Sequence, residues 1–204
     1  QRQMCIRDRI QSWCDHSDKN DLPRVLLVGD SITVGYQEFV REALRNKCYV
    51  DFIATSYAID SDIYFSVINA IVNDSKYDLI HFNNGLHGFD YTEEEYAEAF
   101  PEYVALIRKY APDAKLIWAT ITPVRQGEGM KDFAPITERT RARNAIATEY
   151  VKSQGIKVND LWGVVADHPE YYAGGDGTHP VEAGFDALAR QVAKVVEEAL
   201  PKTK

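Results

Sequence analysis

The chain is 204 residues long, with 45% hydrophobic and 26% charged residues. That is enough apolar material for one substantial core and too much for a disordered segment. Its 23 basic and 31 acidic side chains leave a formal charge of −8, which repels a phosphate backbone and argues against a nucleic-acid partner. No apolar run approaches the roughly 20 residues a membrane-spanning helix needs, so insertion into a bilayer is not expected either.

Residues 1–20 read as an N-terminal extension and residues 21–204 as a single domain, because no repeat, low-complexity tract or shift of composition divides the latter. Residues 1–9 lack the apolar stretch of a signal peptide and resemble translated adapter sequence, so they are given no part in the fold. The default location is therefore cytoplasmic, with secretion left open. Three cysteines, Cys5, Cys14 and Cys48, are odd in number and lack metal-ligand spacing. Neither a disulfide framework nor a metal centre is expected. The triplet Arg139, Arg141 and Arg143 falls in a helical pattern and reads as a solvated face.

From the first strand onward the chain alternates short apolar runs with longer amphipathic stretches. Residues 24–28, Arg-Val-Leu-Leu-Val, form an apolar run closed by Gly29, the mark of a strand buried on both faces. Helical periodicity follows over 36–46, then a strand over 49–54, a helix over 61–73 and a strand over 78–84. Thr92 with Glu95 forms a capping box that opens a helix over 92–110. A strand over 114–120, a helix over 136–153 and a short strand around 156–158 come next. The last helix, 181–200, carries Phe185, Leu188, Val192, Val195 and Ala199 on one stripe. Such alternation predicts an α/β fold with a five-stranded parallel sheet between helical layers. Functional groups in such sheets collect beyond the carboxyl ends of the strands.

Two motifs fall at that edge. Gly29-Asp30-Ser31-Ile32 follows the first strand, and taken alone reads as a turn. Asp176-Gly177-Thr178-His179-Pro180 precedes the last helix, with Pro180 suited to its first turn. Together they supply a serine, a histidine to take its proton and an aspartate to orient the histidine. Among other residues, His81 lies within a buried strand and reads as a core histidine. Tyr57, Phe89, Tyr91 and Tyr172 are candidates for a sugar platform, with core packing as the plainer reading. Arg125 on the loop after the fourth strand reads as a solvated side chain. The first loop lacks the Ser/Thr- and Gly-rich cradle of a flavin-binding flavodoxin.

The paired blocks, in this order and at opposite ends of the domain, resemble those of the GDSL or SGNH hydrolases, and the resemblance covers roughly residues 24 to 200. It implies a three-layer α/β/α fold with flavodoxin-like strand order, no cofactor, and ester hydrolysis through an acyl-enzyme. Ser31 would be the nucleophile, His179 the base and Asp176 its orienting acid. The family's Gly-x-Asn-Asp block is replaced here by Gly85-Leu86-His87-Gly88, preceded by Asn83-Asn84. The resemblance then assigns the oxyanion hole to the Ser31 N–H, the Asn84 amide and, in place of a missing glycine after the second strand, the Ser56 N–H. His87 is the alternative to Asn84, and His87 and Asp30 are the expected substrate-binding groups. The branch of the family points to acetyl removal from a small-molecule or carbohydrate ester. A lysophospholipase or thioesterase, or a non-catalytic binding module, are the alternatives. Oligomeric state is not legible.

Overall fold

The computed structural model describes residues 9–200, so Cys5 and residues 201–204 lie outside it. Its first element is a short strand, β1 (Ile10–Trp13), inside the segment expected to be an extension. Three of its four side chains are exposed, so no apolar pattern announces it. It forms because its backbone pairs antiparallel with the edge of β3 (Tyr49–Thr55), from Ile10 opposite Thr55 to Trp13 opposite Phe52. Between them run β2 (Arg24–Gly29) and α1 (Ser31–Ala43), and after them α2 (Asp62–Asp74), β4 (Leu79–Phe82) and α3 (Glu93–Tyr110). Next come β5 (Lys115–Ala119), the hairpin β6 (Arg125–Gln126) and β7 (Asp132–Phe133), and α4 (Thr137–Ser153). β8 (Lys157–Asn159), α5 (Leu161–Val165) and α6 (Glu182–Ala199) complete the order.

The expected α/β fold is present. Five parallel strands stand in the order β3-β2-β4-β5-β8, which is flavodoxin-like, and β1 adds a sixth strand at the edge. Helix α1 packs with α6, while α2 packs with α3 and α3 with α4, giving the two helical layers. All six residues of β2 are buried, which explains its unbroken apolar run at the centre of the sheet. Phe82, Phe100 and Trp118 meet edge to face between β4, α3 and β5, at centroid distances of 4.9 to 5.4 Å. The predicted capping box is made: Thr92 Oγ1 accepts from the Glu95 N–H, and Glu95 Oε2 accepts from the Thr92 N–H.

Helix α1 starts at Ser31, five residues before its apolar periodicity becomes visible. Ile32, Thr33, Val34 and Gly35 are poor helix formers. Asp30 offsets this by capping the helix, its Oδ1 accepting from the Ile32 N–H at 2.9 Å. Packing of Ile32, Tyr36 and Val40 into the core does the rest. At the opposite end of the sheet the buried Arg24 and Asp51 pair at 2.8 Å, with further Arg24 donors on the carbonyls of Asp15, His16 and Lys19. Cys14 and Cys48 are both free thiols.

The central strand β2 has β3 on one side and β4 on the other. Chains leaving their carboxyl ends diverge there and open a crevice, the usual site of ligand binding in such sheets.

Candidate active site

Ser31 is the first residue of α1 and lies two residues past the end of β2. Its hydroxyl is exposed at the carboxyl edge of the sheet. Opposite it comes the loop that leads into α6. There Asp176 Oδ1 accepts from the N–H groups of Thr178 and His179, at 2.9 and 2.8 Å, which folds the loop into a tight turn. Gly177 makes that turn possible. Its φ of +80° is a left-handed value, and a Cβ there would sit 2.0 Å from the Arg125 carbonyl oxygen.

The turn brings three predicted residues into one line. His179 Nδ1 lies 2.7 Å from Asp176 Oδ2, and His179 Nε2 lies 2.7 Å from Ser31 Oγ. Partial burial works against ionisation of Asp176. The His179 N–H, the His179 ring and the Thr178 N–H outweigh it and hold the carboxyl down at about 2. A permanent carboxylate therefore faces the ring nitrogen remote from Ser31, where it favours the tautomer with Nε2 free to accept a proton.

A cleft of about 230 Å³ borders this line, walled by Val34, Ala54, Thr55, Ser56 and His87 together with Ser31 and His179. Among the described residues no group of three or more His, Cys, Asp or Glu side chains is arranged to hold a metal ion.

Two of the three expected oxyanion donors, the Asn84 amide and the Ser56 N–H, have hydrogen-bond partners within the fold. Asn84 Nδ2 donates to the Tyr57 carbonyl at 3.0 Å, its Oδ1 is buried, and the side chain is not part of the cleft wall. Asn83 likewise donates to the Ala119 carbonyl at 2.7 Å. The two asparagines stitch the end of β4 to its neighbours. The Ser56 N–H donates to the Arg9 carbonyl at 3.1 Å, an extension of the β1 pairing. Asp30 is buried and caps α1, and it is not part of the cleft wall. Of the two expected substrate-binding groups only His87 reaches the cleft.

Other readings also change. Arg143 is fully buried rather than solvated, and donates to the carbonyls of Gly85, His87 and Gly88 at 2.8 to 3.0 Å. Arg139, half-buried one turn earlier, donates to Phe89 and Tyr91 carbonyls and pairs with Glu93 at 2.7 Å. These arginines organise the loop after β4. A signal for Arg143 does exist in the chain: Thr140, Arg143, Ala147 and Val151 recur at helical spacing on the buried face of α4. Arg125 is buried too, its guanidinium on the carbonyls of Met130, Lys131 and Ala166 and over the Phe133 ring at 4.7 Å. His81 is the core histidine expected, with Nε2 at 3.0 Å from Asn159 Nδ2. Tyr91 and Tyr172 are core, while Tyr57 and Phe89 are half-buried.

The model of the GDSL-like Lipase/Acylhydrolase family matches residues 27–187, a span that runs from β2 into α6 and includes Ser31, Asp176 and His179. The chain belongs to that family. It is accordingly a carboxylic ester hydrolase. Solved structures of similar fold include an aryl esterase from M. smegmatis, at a TM-score of 0.70 and 15% identity over 87% of this chain and 100% of that one. A carbohydrate acetylesterase family member from Sinorhizobium meliloti superposes at 0.68 with 18% identity, covering 88% and 99%. A GDSL-like lipase from Bacteroides thetaiotaomicron does so at 0.67 with 18% identity, covering 87% and 89%. No curated protein matches the chain in sequence. No helix of the described residues is long and apolar enough to cross a membrane.

Proposed function

We propose that this family member is a serine esterase that removes short acyl groups, acetyl above all, from carbohydrate through an acyl-enzyme on Ser31. The observation that carries the reading is the unbroken line of two 2.7 Å contacts from Asp176 through His179 to Ser31. A serine hydroxyl is a poor nucleophile at its own pKa and needs such a base. His179 Nε2 takes the Ser31 proton as Oγ bonds to the ester carbonyl carbon and the π electrons move onto the carbonyl oxygen. When the tetrahedral intermediate collapses, the bond to the alcohol oxygen breaks and His179 returns the proton to that oxygen. Water then repeats the sequence: it gives a proton to His179, attacks the acyl carbon, and the acid departs as Ser31 recovers its proton. Asp176 accepts from Nδ1–H throughout and stabilises the imidazolium formed in each step. The Ser31 N–H, at the start of α1, makes no hydrogen bond among the described residues and serves as the backbone donor to the oxyanion.

Size supports a short acyl group. The cleft, about 230 Å³, falls below the ~300–1,000 Å³ typical of sites for drug-sized ligands. The likeness to a carbohydrate acetylesterase family member directs the reading toward sugar esters. The test is Ser31→Ala. We expect loss of essentially all p-nitrophenyl acetate hydrolysis, an unchanged circular dichroism spectrum, and no labelling by a fluorophosphonate that labels the parent protein. Near-parental activity in that variant sinks the mechanism. A series from acetate to palmitate, with acetate release from acetylated xylan, pectin and simple sugars, tests the substrate. Preference for palmitate hands the site to a lysophospholipase or thioesterase, and no turnover of any ester to a binding module.

A further inference from the structure

None of the four aromatic side chains expected as a sugar platform stands free in solvent. Tyr91 and Tyr172 are core, and Tyr57 and Phe89 are half-buried. The open indole lies elsewhere. Trp13 and Ile63 are the exposed large hydrophobic side chains among the described residues, at 54% and 52%. Ile63 belongs to α2 and has no part in the cleft wall. Trp13 belongs to β1, the strand that does reach the cleft.

Side chains alternate along a strand, so Gln11 and Trp13 share one face of β1. Gln11 stands opposite Ala54, and both line the cleft together with Val34 of α1. Trp13 stands opposite Phe52, two residues back from that edge of the sheet. Helix α1 leads the same way. Arg41, ten residues after Ser31 and so roughly 15 Å along the helix, places its guanidinium over the Trp13 ring, 5.6 Å from the centroid. Strand and helix thus form a track that leaves Ser31, with Gln11 and Val34 at its head and Trp13 and Arg41 at its foot. An extended chain of a few sugar units spans that length.

The indole is held in place. Pairing with β3 fixes its backbone, and the cation over the ring restrains its plane. Arg41 in turn meets Glu38 at 3.7 Å. As a packing residue Trp13 is poorly used, since about half of its surface stays in water. A restrained aromatic face between an amide and a charged pair suits a pyranose, whose C–H groups lie on the ring while its hydroxyls reach the polar ends. β1 lies outside residues 27–187, the span shared with the family, so the family relationship does not account for the track.

We infer that Trp13 is a distal sugar subsite, which binds one unit of an oligosaccharide while an acetylated unit of the same chain lies at Ser31. The substrate class is then a chain of sugars and not a monosaccharide. The inference rests on the reading of the protein as a carbohydrate esterase. No bond is made or broken at Trp13. Its contact is the same in the ground and transition states, so it acts on KM and not on kcat.

The experiment follows acetate release by the full chain from partly acetylated xylo-oligosaccharides and cello-oligosaccharides, dimer to hexamer. The readout is the ratio of kcat/KM for hexamer to that for dimer, in the parent, Trp13→Ala and Trp13→Phe. Covering about 50 Å² of indole corresponds to roughly 5–10-fold in affinity. We expect a parental ratio of that size in at least one series, a ratio near one in Trp13→Ala through a raised KM, and an intermediate value in Trp13→Phe. Iodide quenching supplies a readout that needs neither turnover nor a variant. Trp13 is the exposed indole, whereas Trp118 is buried and Trp162 half-buried, so the unacetylated hexamer should shield the parental fluorescence. A parental ratio of one in both series, while dimers are turned over, overturns the inference. So does a ratio that survives in Trp13→Ala. Lack of shielding in the parent by either hexamer is equally fatal, even if Trp13→Ala melts early. Failure to release acetate from any oligosaccharide, with p-nitrophenyl acetate hydrolysed and Ser31 labelled by a fluorophosphonate, overturns the carbohydrate reading and this inference with it but upholds Ser31.

Discussion

The Arg125 N–H donates to the Gly177 carbonyl at 2.7 Å, tying the start of β6 to the turn that carries Asp176 and His179. The contact leaves no room for a side chain at Gly177, whose Cβ would lie 2.0 Å from the Arg125 oxygen. Gly177→Ala therefore combines a left-handed backbone, at a cost of about 1–3 kcal/mol, with a steric push on the turn. A displacement of the base by about 1 Å is enough for a roughly 10²-fold loss. We expect a lowered Tm and a fall in kcat of that size, read by thermal melting and p-nitrophenyl acetate kinetics. Parental values of both would show that the turn does not depend on this contact.

Asp176 sets a pH signature. Its carboxyl is held at about 2 in the folded protein, against an ordinary value of 3.8. A depressed carboxylate contributes stability above the unfolded pKa and loses it as pH falls through the folded one. The contribution is thus full above about pH 4 and vanishes toward pH 2. Asp176→Asn should flatten the stability profile in that window and, above about pH 4, lose the contribution the carboxylate makes there. Activity should drop by roughly 10²–10⁴-fold at every pH above 4. Acid denaturation followed by circular dichroism, beside a pH–rate profile, reads both effects.

His81 gives a second window, of the same sign but at higher pH. Burial lowers its pKa from 6.5 to about 4, so the unfolded chain binds the proton first as pH falls. Stability then rises with pH between about 4 and 6.5 and is level on either side. The size is on the order of 3 kcal/mol. His81→Gln keeps an acceptor for Asn159 and removes the titration, so the urea midpoint of the variant should change much less between pH 7 and pH 4.5. An equal change in both proteins would contradict the assignment.

Helix α3 supplies a control far from the chemistry. Thr92→Ala removes the capping-box acceptor for the Glu95 N–H, at a cost of about 1 kcal/mol. Thermal melting should show a decrease of a few degrees, with kcat and KM unaltered. A change in kcat would mean that the loop preceding α3 transmits strain to the site.

The parts legible in the sequence share a local cause. The run 24–28, the Thr92 box and the Asp176 turn each depend on residues within a few positions of one another. The meeting of Ser31 with His179, 148 positions apart, is legible only because both local motifs fall at the carboxyl edge of the sheet. What escaped depends on distant backbone. Arg143 looks exposed beside Arg139 and Arg141; its register with Thr140, Ala147 and Val151 hints at the buried face, but the carbonyls of Gly85, His87 and Gly88 that satisfy its guanidinium lie more than fifty residues away. The engagement of the Ser56 N–H required β1, a strand made by pairing and not by side-chain pattern. Asn84 stands at a strand end, and that place is what ties its amide to the Tyr57 carbonyl.

The line from Asp176 to Ser31 runs along the surface: the His179 side chain is 43% exposed and that of Asp176 58%. Charge developing on the imidazole is therefore bathed in water until something covers it. The alcohol half of a bound ester, lying over His179, would be such a cover, and the leaving group would then double as the roof of the reaction chamber. A bulky sugar would strengthen the Asp176–His179 attraction by drying it, whereas ethyl acetate would leave it wet. Turnover, and not only binding, should climb with the footprint of the alcohol.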